Sequence, residues 1–187
     1  MNIFFLDRDP QIAATFHADK HVVKMILESA QLLSTAHRIL DGTDGVLPDD
    51  RQTVLYRATH KNHPSAIWTR ANSDNYRWVH DLLYFLIDEY HYRYDSKRKR
   101  QGELFTRPHA TERLLPFLLD APYNINTKCP RVLVAPPQCM PDDCKSLDTV
   151  NSYRTYYVKH KYHIAKWTRR ETPEWWDEKV QRFHSGK

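Results

Sequence analysis

Seven polar residues recur three or four apart between positions 17 and 35: His17, Lys20, His21, Lys24, Glu28, Gln31 and Thr35. On a helix this spacing stacks them along one edge. A bare Lys-to-Glu pair at this spacing adds only about 0.3–0.5 kcal/mol to an exposed helix. This column also carries two imidazoles, an amide and a hydroxyl, and it adjoins an apolar stripe, so it is placed to face a cleft. There Glu28 is the candidate general base, or the stabiliser of a cationic sugar, with His21 beside it as a second catalytic candidate. Lys20 and Lys24 are candidate phosphate ligands, and Gln31 is a candidate contact to a nucleotide.

A second constellation is His63-Pro64 with Trp68, then Asn75-Tyr76 and Trp78, then Glu89-Tyr90 and Arg93. His63 and Asn75 join the nucleic-acid-binding candidates, and Glu89 and Arg93 are spaced to pair on a helix surface. A third is residues 151–170, NSYRTYYVKHKYHIAKWTRR, with six cations and no acid. Arg154, Lys159, Lys161, Lys166, Arg169 and Arg170 are expected to track phosphates. Tyr157 and Trp167, interleaved with them, are expected to stack on unpaired bases. His60, His63 and the pair His80-Asp81 raise a metal-hydrolase alternative. Adjacent helical residues diverge by about 100°, however, so no metal ligand set and no cofactor is expected.

The elements that must position these groups are helical. Gly is scarce, with 4 in 187 residues, so tight hairpins are few. Asp9-Pro10 reads as a cap and first position of a helix over 10–17. A long helix follows over about 19–41, buried through Val22, Val23, Ile26, Ala30, Leu33 and Leu40 and stopped by Gly42. Pro64 opens a short helix. Asn72 or Ser73 caps a longer one, striped by Tyr76, Val79, Leu83, Leu86, Ile87 and Tyr90, that runs to Lys97-Arg98-Lys99-Arg100. Thr111 is expected to cap a helix to Leu119. Another runs over about 147–168, and Thr172-Pro173-Glu174 opens a last short one. Residues 120–145 hold 5 of the 11 prolines and are expected to be a long loop. The expectation is an all-α, single compact helical domain over 1–187, with a basic and aromatic elaboration from 96 onward.

A net charge of +5 suits a polyanionic partner. Cys129, Cys139 and Cys144 form no Cys-x-x-Cys. A metal held by all three would need a fourth ligand, and reduced thiols in a cytoplasmic protein fit better. The opening MNIFFLDRDP has no apolar run of signal-peptide length, and no membrane partner is expected.

Residues 19–33, DKHVVKMILESAQLL, resemble the first long helix of the pyrimidine-dimer DNA glycosylase family, small helical repair enzymes of phage type. His63-Pro64, Trp68, Tyr76 and Glu89-Tyr90-His91-Tyr92-Arg93 resemble its second block. Together the two blocks cover about residues 1–95. The resemblance implies an all-helical fold that flips a nucleotide out of DNA and excises a damaged or modified base. It also implies an amine nucleophile at the chain start, assisted by a Glu. Here that Glu would be Glu28. Because Asn2 is not a residue before which methionine is readily removed, the amine would be that of Met1. The alternatives are a DNA-, RNA- or nucleotide-binding protein without catalysis and a metal-dependent helical phosphohydrolase.

Overall fold

The chain is described here by a computed structural model covering residues 1–99, 108–128, 133–177 and 180, with the side chains of 95–99 outside that description. Arg100 and Cys129 therefore lie outside it, as do the side chains of Lys97, Arg98 and Lys99.

Asp9 caps α1 (Pro10–Phe16) by accepting from the amides of Gln11 and Ile12. The central helix α2 spans Asp19–Leu40. It ends where Gly42 is needed: a Cβ there would sit 2.6 Å from the Arg38 carbonyl oxygen. Buried Arg38 then donates to the carbonyls of Gly45, Gln52, Leu55 and Tyr56. It thereby shapes the connection through α3 (Arg51–Val54). Next come α4 (Pro64–Thr69) and the long α5 (Ser73–Lys99). Asn72 caps α5, its side chain accepting from the Asn75 amide.

α1, α2, α4 and α5 pack around one core, and α2 against α5 is its largest contact. Val22, Ile26, Ala30 and Leu33 of α2 and Tyr76, Val79, Leu83, Leu86 and Ile87 of α5 are buried, as the stripes require. Val23 differs from expectation, being 37% exposed. The core side of α2 passes through Met25 and Ser29 instead, which leaves position 23 facing outward.

Beyond α5, Glu112–Leu114 form a 3-10 turn running into α6 (Leu115–Leu118). Thr111 does not cap it, because its hydroxyl meets Tyr56 Oη. The proline-rich segment follows as irregular chain over 120–128 and 133–141, with a 3-10 turn at Asp142–Cys144. The helix expected over 147–168 is shorter: α7 is Thr149–His160, followed by a 3-10 turn at Tyr162–Ile164. The rest is drawn off the helical path by α2. The Asp19 amide donates to the Lys166 carbonyl, and the Asp19 carboxylate accepts from the amide and hydroxyl of Thr168. A helical turn at 174–177 brings Trp175 and Trp176 into the core.

The chain start is irregular, yet Ile3, Phe4, Phe5 and Leu6 are each at most 3% exposed. Phe4 takes a left-handed backbone conformation (φ 53°), and its ring lies among those of His21, Tyr153, Tyr156 and Tyr157. The N-terminal half and the C-terminal elaboration thus share one all-α core. No helix among the described residues is long and apolar enough to cross a membrane.

Candidate active site

The polar column on α2 divides in two. At its start the two imidazoles are sealed, His17 at the end of α1 and His21 in the first turn of α2, while Lys20 is exposed. His17 is fully buried, its Nδ1 on the Ala13 carbonyl. His21 is 4% exposed, hydrogen-bonded through Nδ1 to Tyr157 and packed on Phe4. Burial, with His17 and cations such as Lys24 nearby, pushes the His21 pKa down to about 3. The expectation that His21 works beside Glu28 is therefore corrected: it is a neutral core group. Tyr157, fully buried, is its partner and not a base-stacking ring.

The second part of the column stays accessible. The Glu28 side chain is 14% exposed and serves two partners. Its Oε1 lies 3.3 Å from Lys24 Nζ, and its Oε2 accepts the Asn2 main-chain N–H at 3.0 Å. The start of the chain is therefore laid against this carboxylate. The Asn2 side chain holds it there. Its Nδ2 donates to the Cys139 carbonyl at 2.9 Å, while its Oδ1 accepts from the Ile3 amide and lies 2.8 Å from Tyr153 Oη. That hydroxyl is also 2.8 Å from the Pro137 carbonyl.

His63 closes another side. It caps α4, its Nδ1 accepting from the Ser65 amide at 3.2 Å. An accepting Nδ1 leaves the ring proton on Nε2. Burial lowers the His63 pKa, the amino group of residue 1 and His60 lower it further, and Glu28 opposes them, so all three charges lie within its reach. The loop bearing His63 is clipped to α2 by Thr35, whose Oγ1 accepts from the Thr59 amide at 3.2 Å and also lies 3.3 Å from the Thr59 carbonyl oxygen. Within it, His60 adopts the left-handed conformation (φ 48°) that side chains other than Gly seldom take. Cys139 completes the surroundings, with its Sγ 3.6 Å from Ser65 Oγ.

Met1, Lys24, Glu28 and His63 are thus brought together, with half-buried Gln31 and exposed Lys20 farther along the same helix edge. The other candidates are placed differently. Asn75 is buried and donates to the Trp68 carbonyl within the α4–α5 junction. Arg154 binds the Leu6 carbonyl and Asp7 and lies over the rings of Phe16 and Trp175. Lys159 pairs with Asp143, and Arg170 pairs with buried Glu89. Arg169 donates to the Tyr92 carbonyl. The Trp167 indole N–H donates to Phe16. Lys161 lies over the Tyr156 ring, and Lys166 is exposed. The 151–170 segment is therefore not one cationic helix, and carboxylates from elsewhere in the chain neutralise much of it. Glu89 and Arg93 do pair, at 2.8 Å, but inside the protein. His60, His63, His80 and Asp81 do not converge as a ligand group.

Asn2, Tyr153 and Cys139 are structural members of the site that sequence reasoning missed. They meet across 137 and 151 positions, and no local pattern marks such a meeting. No protein family, curated protein or solved structure matches this chain.

Proposed function

We propose that the protein acts on nucleic acid, most simply as a DNA N-glycosylase that excises a flipped-out base, with Met1, Glu28, Lys24 and His63 as its working groups. The observation that carries this reading is the Asn2–Glu28 hydrogen bond. It sets the residue-1 amine beside a largely buried carboxylate, the juxtaposition that a resemblance to pyrimidine-dimer glycosylases implies, and His63 lies close by.

In such a site the residue-1 amine, having given up a proton, attacks the sugar C1′. The C1′–N bond to the base breaks, and its electron pair leaves with the base; the C1′–O4′ bond then opens, a proton passing from the nitrogen to O4′, which gives the imine that borohydride reduces. His63 Nε2–H is a donor for that departing base, and Glu28 balances the positive charge on the sugar. Lys24 and Lys20 lie on the edge of α2 from which a phosphate backbone would be held. Extruding the base costs a few kcal/mol, which these phosphate contacts must offset.

The test is borohydride trapping with two duplexes, one bearing an abasic site and one a cyclobutane pyrimidine dimer. The expected result is a covalent adduct that peptide mapping places on residue 1, formed on both. Base release without an adduct would leave Glu28 activating water in a glycosylase with no imine. Neither adduct nor base release from irradiated or modified DNA would overturn the reading.

A further inference from the structure

A second group of reactive side chains lies away from Glu28, where the 3-10 turn after the proline-rich segment meets the last turn of α7. Asp143, Cys144 and His160 each point one ligand atom inward, and the three atoms lie within 4.8 Å of one another. Cys144 Sγ is 3.6 Å from Asp143 Oδ1, and His160 Nε2 is 3.8 Å from the same oxygen. Around a tetrahedral zinc ion the corresponding sulfur–oxygen and nitrogen–oxygen separations are roughly 3.6 and 3.4 Å. Two edges of a coordination tetrahedron are therefore almost in place.

The Asp143 carboxylate is divided in the way a metal-binding carboxylate usually is. Its Oδ2 takes the Lys159 ammonium at 3.0 Å, and the same ammonium donates to the Asp143 carbonyl at 2.8 Å. Oδ1 is thereby turned toward the thiol and the imidazole. An outer partner that fixes a ligand's orientation is typical of metal sites. The His160 ring is steadied by Tyr156, 5.4 Å away between centroids.

We propose that Asp143, Cys144 and His160 bind a divalent transition metal, with zinc the best match to one sulfur, one nitrogen and one oxygen ligand. Cys144 gives its proton to solvent as the metal binds, and solvent takes the fourth position. The ion ties the turn at 142–144 to α7. That turn ends the loop whose Pro137 and Cys139 carbonyls hold the Asn2–Tyr153 contact, so the metal would stiffen one wall of the Glu28 site without joining its chemistry.

The test is titration of the full-length, metal-stripped protein with Co2+, followed by Zn2+. The expected result is one equivalent of Co2+ with a thiolate-to-cobalt charge-transfer band and the visible bands of a tetrahedral ion. Zn2+ should displace it and raise the Tm. Cys144→Ser should abolish the charge-transfer band. His160→Gln and Asp143→Asn alter exposed side chains, so they keep the test decisive if the Cys144 variant fails to fold. Each should weaken Co2+ binding at least about tenfold. No spectral change in the parent protein overturns the proposal. So do bands that survive His160→Gln unchanged and disappear in Cys129→Ser, since the metal would then sit on the cysteines alone.

Discussion

At the scale of single residues, the proposed function rests on Glu28 and His63, and their two roles can be tested separately. Glu28→Gln keeps an acceptor for the Asn2 N–H and removes the charge. It should fold and bind DNA as the parent does, and lose at least about two orders of magnitude in rate, the lower end of acid–base contributions. Equal rates would remove Glu28 from the mechanism. His63 is held as the Nε2–H tautomer by the Ser65 amide and kept neutral by burial and the nearby ammonium. Nitrogen chemical shifts of labelled His63 should show this tautomer at pH 7, titrating only below the ordinary histidine range. Titration at or above that range would make it a cation and deny it the role of neutral donor.

At the scale of elements, the decisive contact is the Arg93 clamp. Arg93 is fully buried on α5 and donates to Glu89, Asp19 and the carbonyls of Thr15 and His17, tying α5 to the α1–α2 junction. Arg93→Met would leave Asp19 and two carbonyls without that donor, and should cost about 3–5 kcal/mol in urea denaturation. Arg170 shares Glu89 but has a side chain 37% exposed. Its replacement by Gln should cost clearly less, because water substitutes for the lost partner. If the two variants lose equal stability, the clamp is not what joins these helices. The edge of α2 supplies the matching binding experiment. Lys20→Gln with Lys24→Gln should flatten the log–log salt dependence of DNA affinity by up to about two. Lys159→Gln with Arg170→Gln should change the slope less, since those side chains are more buried against their carboxylates than Lys24 is against Glu28.

At the scale of the whole molecule, three neutral histidines sit inside the fold. Burial lowers His17 to about 4, His21 to about 3 and His37 to about 4. In the unfolded chain each titrates near 6.5. Above that value the three are neutral in both states and cost nothing. As pH falls below it, the unfolded chain takes up as many as three protons that the native protein refuses. Stability should then drop by up to about 4 kcal/mol per pH unit before the native values near 3–4 are reached. Urea denaturation at a series of pH values measures this directly. Stability that stays level from pH 6.5 to 4.5 would mean that these rings take up protons inside the fold as readily as in the unfolded chain.

The sequence by itself determined α1, α2, α4 and α5 and the residues that begin or end them. Asp9-Pro10, Gly42, His63-Pro64 and Asn72 act within a few residues of themselves, and the α2 and α5 stripes repeat with the helix period. That is why these boundaries were legible, along with the all-α class. The tertiary structure alone decided which of the polar residues are buried and which stay accessible. His21, Lys24 and Glu28 share one edge of α2, and His17 ends α1 just before it. Phe4 and Tyr157 cover the two imidazoles, while Asn2 reaches Glu28. The same holds for charge. Residues 151–170 contain no acid, yet Asp7, Glu89 and Asp143 reach Arg154, Arg170 and Lys159 from distant positions. Neutralisation by a carboxylate depends on separation in space, which falls off over a few ångströms. Separation along the chain, the one distance a sequence displays, does not report it.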